Sequence, residues 1–253
     1  MSLTDEVRAF WEGTPCGTGG TIVGDASPLS PAWFRRVEEH RYAAEPFIHA
    51  VAQFTRHRGA RLLEIGVGAG TDHLQWARAG LECHGVDLTQ AAIETTRAHL
   101  ALYGLSSQLQ RLSAESLPFP DASFDLVYSW GVIHHAERPE AIVREIRRVL
   151  KPGGRFIGML YARYSLCALR FWLKHALLTG RPWRSLTDVV WEHVESVGTR
   201  CYSARELRAL FEGFADVRLE KLLTPYDLYY VPRFLAAVLP DAAGWNFAVR
   251  ALR

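Results

Sequence analysis

Three glycines at alternate positions, Gly66, Gly68 and Gly70, follow the run Leu62-Leu63-Glu64-Ile65, in which an acid ends an apolar stretch. The polar pair Thr71-Asp72 comes next and opens a helix-like segment. Glycine removes the Cβ where a ligand has to lie against backbone. The helix behind it offers free N–H groups to that ligand. The loop departs from the Gly-x-Gly-x-x-Gly spacing that cradles a dinucleotide, because Thr71 stands in place of the third glycine. A carboxylate at the lip, Glu64, would repel a pyrophosphate. It suits a ligand with an ammonium group and a second positive centre. Taken alone, the loop also fits a plain structural turn.

Further along, Cys83-His84-Gly85-Val86-Asp87 reads as a second strand ending in an acid. Asp87 lies about 20 residues past the loop, the distance at which a ribose needs a hydroxyl acceptor. It serves equally as an N-cap for a helix over 90–103. Ser123 to Trp130 reads as a buried central strand, and Gly131-Val132-Ile133-His134-His135 leaves its carboxyl end. Open α/β sheets bind ligands at that edge. His134 and His135 are the paired titratable groups there, and an imidazole near neutral pH suits proton abstraction. Either ring fits a bond to backbone just as well. Two adjacent histidines without a third ligand do not make a metal site.

Glu-x-Gly-x-Gly-x-Gly after an apolar strand resembles motif I of the class I S-adenosylmethionine-dependent methyltransferases. Gly85-Val86-Asp87-Leu88 resembles their second motif. The run from Phe124-Asp125-Leu126-Val127 to Lys151-Pro152-Gly153-Gly154 resembles the small-molecule members that act on quinones, lipids and secondary metabolites. The resemblance covers about 61–160. It implies an α/β fold: a Rossmann-like, mostly parallel seven-stranded sheet with helices on both faces and an antiparallel last strand. It also implies S-adenosylmethionine as methyl donor and S-adenosylhomocysteine as product. Carried over position by position, Glu64, Gly66, Gly68 and Gly70 hold the methionyl end, and Asp87 with Leu88 holds the ribose. Ser113, Ala114 and Glu115 face the adenine, and Ser129 and Trp130 pass beside the sulfonium. The family usually has an aspartate where Ser113 stands, so the adenine contact differs here. His135 is the first candidate for a base and His134 the second. Tyr161, Tyr164 and Tyr226 are the candidates for contact with the acceptor.

These positions depend on elements that alternate in order. A helix over 71–79 closes on Gly80, a natural C-cap. Gln108 to Leu112, Arg155 to Leu160, Ala215 to Leu222 and Trp245 to Leu252 complete the strands, with a helix over 138–150 between the fourth and fifth. Before the core, an amphipathic stretch around Val7–Trp11 leads into a glycine-rich loop, which fits a flexible arm or a lid. Ser30-Pro31 starts a helix over 31–43, and a second helix is expected over 46–57. Residues 161–202 break the alternation with an amphipathic helix (166–175), and 222–243 bring a second aromatic insertion through Tyr229-Tyr230. The expected organisation is one domain over 1–253: a lid and helices (1–58), a cofactor-binding core (59–160), a cap insertion (161–202) and a C-terminal part of the core (203–253). The cap builds an acceptor pocket. Its apolar face could also form a homodimer contact or touch a membrane surface.

With 253 residues, 49% hydrophobic and 22% charged, the chain can bury a full core. A net charge of +2 leaves no electrostatic footprint for nucleic acid. Four scattered cysteines without a C-x-x-C spacing point away from zinc and disulfides. No apolar run reaches the roughly 18 residues of a membrane span, and no signal peptide is visible, so a cytoplasmic place is expected. The expected function is methyl transfer to a small, partly hydrophobic acceptor. The other readings are a methyltransferase for RNA or protein, a non-catalytic S-adenosylmethionine-binding protein, NAD-dependent redox chemistry, and thiol- or arsenic-directed methylation through the cysteines.

Overall fold

The computed structural model of the chain describes residues 1–229 and 231–253, so Tyr230 lies outside the described residues. Seven strands form one sheet: β1 Arg61–Ile65, β2 Glu82–Asp87, β3 Gln108–Arg111, β4 Phe124–Trp130, β5 Leu150–Tyr161, β6 Ala215–Leu222 and β7 Asn246–Leu252. Their order is β3-β2-β1-β4-β5-β7-β6. β7 runs antiparallel to both β5 and β6, and the pairs from β3 to β5 are parallel. This is the Rossmann-like arrangement expected from the sequence. The order reverses between β1 and β4, and the glycine loop leaves β1 there, at the crevice where doubly wound sheets take ligands.

Alternation along each strand feeds two core layers. Leu62, Leu126, Tyr128 and Ile157 pack on one face with Trp76. Leu63, Val127 and Phe156 pack on the other with Ile142, Ile146 and Phe211. All seven residues of β4 are apolar, small or shielded, and only Asp125 reaches partial exposure. A strand covered on both faces is what a near-continuous apolar run predicts.

Helices cover these faces. Before the core come α1 Leu3–Gly13, α2 Gly20–Val23, α3 Pro31–Ala44 and α4 Ile48–Ala52. Ser2 and Asp5 form a reciprocal cap on α1, and Ser30 caps α3 by accepting from Trp33 N–H. The single helix expected over 46–57 is instead broken. Gln53 adopts φ +52°, and a 3₁₀ turn, Phe54–His57, follows. The break sets Phe54 edge-on against Trp76 at 4.4 Å between ring centroids. Within the core lie α5 Thr71–Arg78, α6 Gln90–Ala101 and α7 Pro139–Val149.

The insertion after β5 holds α8 Leu166–Trp172, which continues as a π turn over Leu173–Leu177, and then α9 Leu186–His193. α9 was not expected, although Ser185 and Asp188 form a full capping box at its start. α10 Ala204–Leu210 leads to β6, and α11 Pro225–Leu228 and α12 Arg233–Ala236 make the second insertion. Among the described residues no helix is long and apolar enough to cross a membrane.

One buried carboxylate ties both insertions to the sheet. Asp227 accepts from Cys167 N (3.0 Å), Trp245 N (2.8 Å), Thr224 N (3.0 Å) and the Thr224 hydroxyl (2.9 Å). Asp227→Ala strands those buried donors and is expected to cost about 2–4 kcal/mol. Denaturant unfolding of the two proteins checks this, and a change under about 0.5 kcal/mol contradicts the tethering role.

Candidate functional site

A cavity of about 720 Å³ opens at the carboxyl edge of β1, β2, β4 and β5. Its volume lies in the range of small-ligand sites. The glycine loop forms its floor. Gly66 has φ +81°, and a Cβ there would fall 2.2 Å from Val132 Cγ2. Gly68 has φ +52°, and a Cβ there would meet no protein atom within 4 Å. That position therefore looks onto open cavity. Gly70 is different: it does not line the cavity, and a Cβ would strike the Thr96 backbone at 2.9 Å. Its role is the close approach of α6 to the loop, which corrects the expectation of a ligand contact.

Asp87 stands at the end of β2 on the cavity wall, with Leu88 beside it. One of its oxygens accepts from Gly68 N at 3.2 Å, and the other from Thr89 N at 2.9 Å and the Thr89 hydroxyl at 2.8 Å. Burial still raises its pKa, against the lowering effect of those bonds. Further hydroxyl donors, such as those of a ribose, would relieve that carboxylate. Ser113, Ala114 and Glu115 also line the wall. Glu115 is held by Arg138 through its backbone N–H (2.9 Å) and guanidinium (2.8 Å).

Glu64 is buried more deeply than a lip residue. One oxygen pairs with His73 Nδ1 at 2.9 Å, and His73 Nε2 meets the Ser107 hydroxyl at 2.8 Å. Burial raises the Glu64 carboxyl to about 7, with His73 opposing the shift. Glu64 nonetheless borders the cavity. Ser129 does not: its hydroxyl bonds Ile65 O at 3.1 Å inside the sheet. Trp130 reaches the wall, and its indole N–H is held by both oxygens of Glu45, at 3.0 and 3.1 Å.

Along that wall lies a buried ionic cluster. Arg41 of α3 meets Asp72 of α5 at 2.6 Å and Glu45 at 2.5 Å. Tyr128 (2.8 Å) and Tyr42 (3.2 Å) donate to Asp72, and Asn246 donates to Glu45 at 2.7 Å. Burial pushes the Glu45 carboxyl up against the pull of Arg41. Burial acts to lower the Arg41 pKa, but Asp72 and Glu45 outweigh it and hold the guanidinium firmly charged.

The cavity wall as a whole is acid-rich. Glu45, Glu64, Asp72, Asp87, Glu115, Glu137 and Glu195 line it, against Arg41 and Arg170. Such a field favours a cationic ligand over a dinucleotide. The open cradle at Gly68, the Asp87 carboxylate on the wall and this charge balance fit S-adenosylmethionine.

The opposite end is built from β5, the insertions and α1. Tyr161 and Tyr226 line it. Tyr164 is 63% exposed and stands outside, which corrects its expected role, because the chain turns away from the cavity after Ala162. His134 is also displaced. It is fully buried under Tyr161, with ring centroids 3.9 Å apart, and neither ring nitrogen has a hydrogen-bond partner among the described residues. Burial lowers its pKa strongly, so it stays neutral, and it does not reach the cavity.

His135 lines the cavity. Its Nδ1 lies 3.0 Å from the hydroxyls of both Ser196 and Thr199. Thr199 spends its own proton on Ser196 O at 2.6 Å, so toward His135 it can only accept. The Ser196 hydroxyl can donate or accept, so the two hydroxyls hold Nδ1 in either tautomer. Glu195 Oε2 sits 3.1 Å from Nε2 but off the ring's hydrogen-bonding direction, a close contact without an aligned bond. The same oxygen accepts from the Tyr161 hydroxyl at 3.0 Å. Nε2 itself is shielded, whereas about a third (34%) of the Glu195 side chain is exposed.

Glu195 is thus the face of this group, and sequence reasoning missed it. It has φ +55°, a left-handed backbone that non-glycine residues adopt under constraint. Its only sequence signal was the polar stretch Trp191-Glu192-His193-Val194-Glu195 inside the cap. His134, His135 and Glu195 also bring one metal-ligating atom each within 4.8 Å of one another, so the third ligand that sequence lacked is present in space.

α1 closes the cavity from above. Phe10 and Trp11 line it, and Trp11 meets His135 edge-on at 5.5 Å. Glu12 accepts from Gln90 N (3.1 Å) and Ala91 N (2.8 Å), capping α6 just past Asp87. Thr4 donates to Glu137 through backbone (3.2 Å) and hydroxyl (2.9 Å). Cys16 and Cys167 face the cavity too, while Cys201 is buried elsewhere; all four cysteines are free thiols.

Residues 63–158 match a family model described as a methyltransferase domain. The chain is 31% identical over 171 residues to a malonyl-[acyl-carrier protein] O-methyltransferase of Methylococcus capsulatus, covering 65% of this chain and 56% of that protein. It is 41% identical over 98 residues to the uncharacterized methyltransferase YcgJ of Bacillus subtilis, covering 38% of this chain and 39% of that one. The matched regions thus span between about two fifths and somewhat over half of these relatives' lengths. Two solved structures share the fold. An S-adenosylmethionine-dependent methyltransferase from Mesorhizobium loti superposes with TM-score 0.61 at 19% identity, over 82% of this chain and 97% of its own. The [4+2]-cyclase SpnF superposes with TM-score 0.60 at 20% identity, over 99% and 92%.

Two outcomes test the donor end. Gly68→Ala is expected to cost only about 1 kcal/mol of stability, from its positive φ, yet to weaken S-adenosylmethionine at least tenfold in calorimetry. Undiminished affinity contradicts the cradle. Glu64 ionises as pH rises through about 7, and only the ionised form attracts the ligand's ammonium group. Affinity is therefore expected to rise up to about tenfold from pH 6 to 8, and Glu64→Gln to flatten that rise. A slope unchanged in Glu64→Gln assigns it to another group.

Proposed function

We propose that this chain is a class I S-adenosylmethionine-dependent methyltransferase that moves the donor's methyl group to a small, partly apolar acceptor bearing an ionisable hydroxyl. The observation that carries this reading is one cavity with two chemically distinct ends. The glycine cradle and Asp87 form one end, and Glu195, His135 and Tyr161 form the other.

Bound S-adenosylmethionine supplies a methyl group on a good sulfonium leaving group. The chain has three tasks. The first is binding: Gly66, Gly68, Asp87 and the Ser113–Glu115 segment fix the donor, and acidic neighbours favour its positive charge. The second is exclusion of water: Phe10, Trp11, Tyr226 and Trp245 wall the space with apolar surface. The third is proton removal. Glu195 faces the acceptor and takes its proton. His135 stands behind, its Nδ1 held by the hydroxyls of Ser196 and Thr199 and its Nε2 3.1 Å from Glu195 Oε2, close enough for the ring to influence the carboxylate's charge. Tyr161 steadies the carboxylate before the proton arrives.

The closed roof of α1 and the modest net charge disfavour RNA and protein acceptors.

Release of S-adenosylhomocysteine, measured across a library of phenols, hydroxyquinones and other hydroxylated apolar compounds, tests the reading. With a turned-over acceptor, Glu195→Gln and His135→Ala are each expected to lower kcat at least tenfold while S-adenosylmethionine affinity stays within about twofold. Unchanged turnover removes the proton-transfer role. Activity is expected to survive exhaustive chelation. Loss on chelation with recovery on a divalent metal would reassign His135 and Glu195 as ligands.

A further inference from the structure

α8 and its π-turn extension present a leucine to the outside once per turn: Leu169, Leu173 and Leu177 are exposed, while Cys167, Ala168 and Ala176 face inward and are buried. Just beyond, Leu178 is 79% exposed and Trp183 is 77% exposed. Scattered single apolar residues on a surface need no explanation, but a run of this kind on one segment does. The segment is also one-sided in charge. No Asp or Glu occurs between Glu145 and Asp188, and Lys174 and Arg181 are exposed with no ion pair among the described residues.

We propose that this face is a docking surface for an anionic lipid bilayer. Exposed leucines and a tryptophan enter the headgroup boundary, and Lys174 and Arg181 reach up to lipid phosphates. Charge decides against a second copy of the chain as the occupant. A two-fold contact over this face would set each Lys174 and Arg181 against its own equivalents, with no acid in the segment to answer them. The face also adjoins the cavity. Arg170 and Phe171 of α8 and Tyr226 of α11 line the cavity wall, and Arg170 bonds Tyr226 O at 3.0 Å. A membrane-dissolved acceptor therefore enters from the side of the protein that meets the bilayer. This last step rests on the methyl-transfer reading; the docking surface does not.

Co-sedimentation with vesicles tests it. The full chain is mixed with vesicles of equal parts phosphatidylglycerol and phosphatidylcholine, or of phosphatidylcholine alone, with S-adenosylmethionine affinity measured separately in vesicle-free buffer. The native chain is expected to bind the anionic vesicles at least tenfold more tightly than the neutral ones, and to lose most of that binding at high salt. Leu177→Glu with Trp183→Ala is expected to cut binding at least tenfold, with S-adenosylmethionine affinity unchanged as proof of fold. Lys174→Glu with Arg181→Glu, which leaves the apolar positions intact, is expected to abolish the preference for anionic lipid. Absence of binding, equal binding to neutral vesicles, or a native dimer that these substitutions split overturns the proposal. Failure here with intact S-adenosylmethionine binding leaves the methyl-transfer reading standing.

Discussion

The buried ion cluster around Arg41 is the contact on which the site depends. Three elements far apart in sequence meet there: α3 through Arg41 and its neighbour Glu45, α5 through Asp72, and β7 through Asn246. Taking one guanidinium and two carboxylates out of water is costly, and pairing offsets that only when the remaining hydrogen-bonding capacity is used. Here Tyr42, Tyr128 and Trp130 use it. With both acids ionised the cluster carries one excess negative charge on the cavity wall, and this adds to the acidic lining that favours a cation.

The proposed acceptor end rests on a different constraint, the placing of the His135 ring. The hydroxyls of Ser196 and Thr199 hold its Nδ1, and its Nε2 lies 3.1 Å from Glu195 Oε2. The pair is assembled from the loop after β4 and the segment after α9, and Tyr161 comes from the end of β5. Asp227 then holds both insertions to the start of β7. Chemistry at one end of the cavity thus depends on a tether at the far side of the cap.

What sequence disclosed and what it concealed divide along separation in the chain. The glycine loop, Asp87 and the strand order were legible because each is a local pattern: an apolar run, a turn, an acid at a fixed distance. Gly70, Ser129 and His134 belonged to the same local patterns, yet their side chains or Cβ directions point into the sheet or toward α6, which spacing alone does not reveal. Glu195 was illegible for the opposite reason. It lies 60 positions after His135 in a stretch without periodicity, and its left-handed backbone is set by tertiary contact. Tyr164 lies close to the cap in sequence, but the chain turns outward there. Gln53 shows the same limit in the scaffold, where packing of Phe54 on Trp76 overrode a continuous helical pattern.

A fold of this type hosts more than one chemistry, so the functional account stands on the two ends of the cavity and not on the sheet. The most direct test is a crystal structure of the chain with S-adenosylhomocysteine. The account predicts ribose hydroxyls on Asp87, the homocysteine backbone along Gly66 and Gly68, and a sulfur that looks across open space toward Glu195 and Tyr161. A complex with the sulfur turned away from Glu195, or with the ligand outside this cavity, would contradict it.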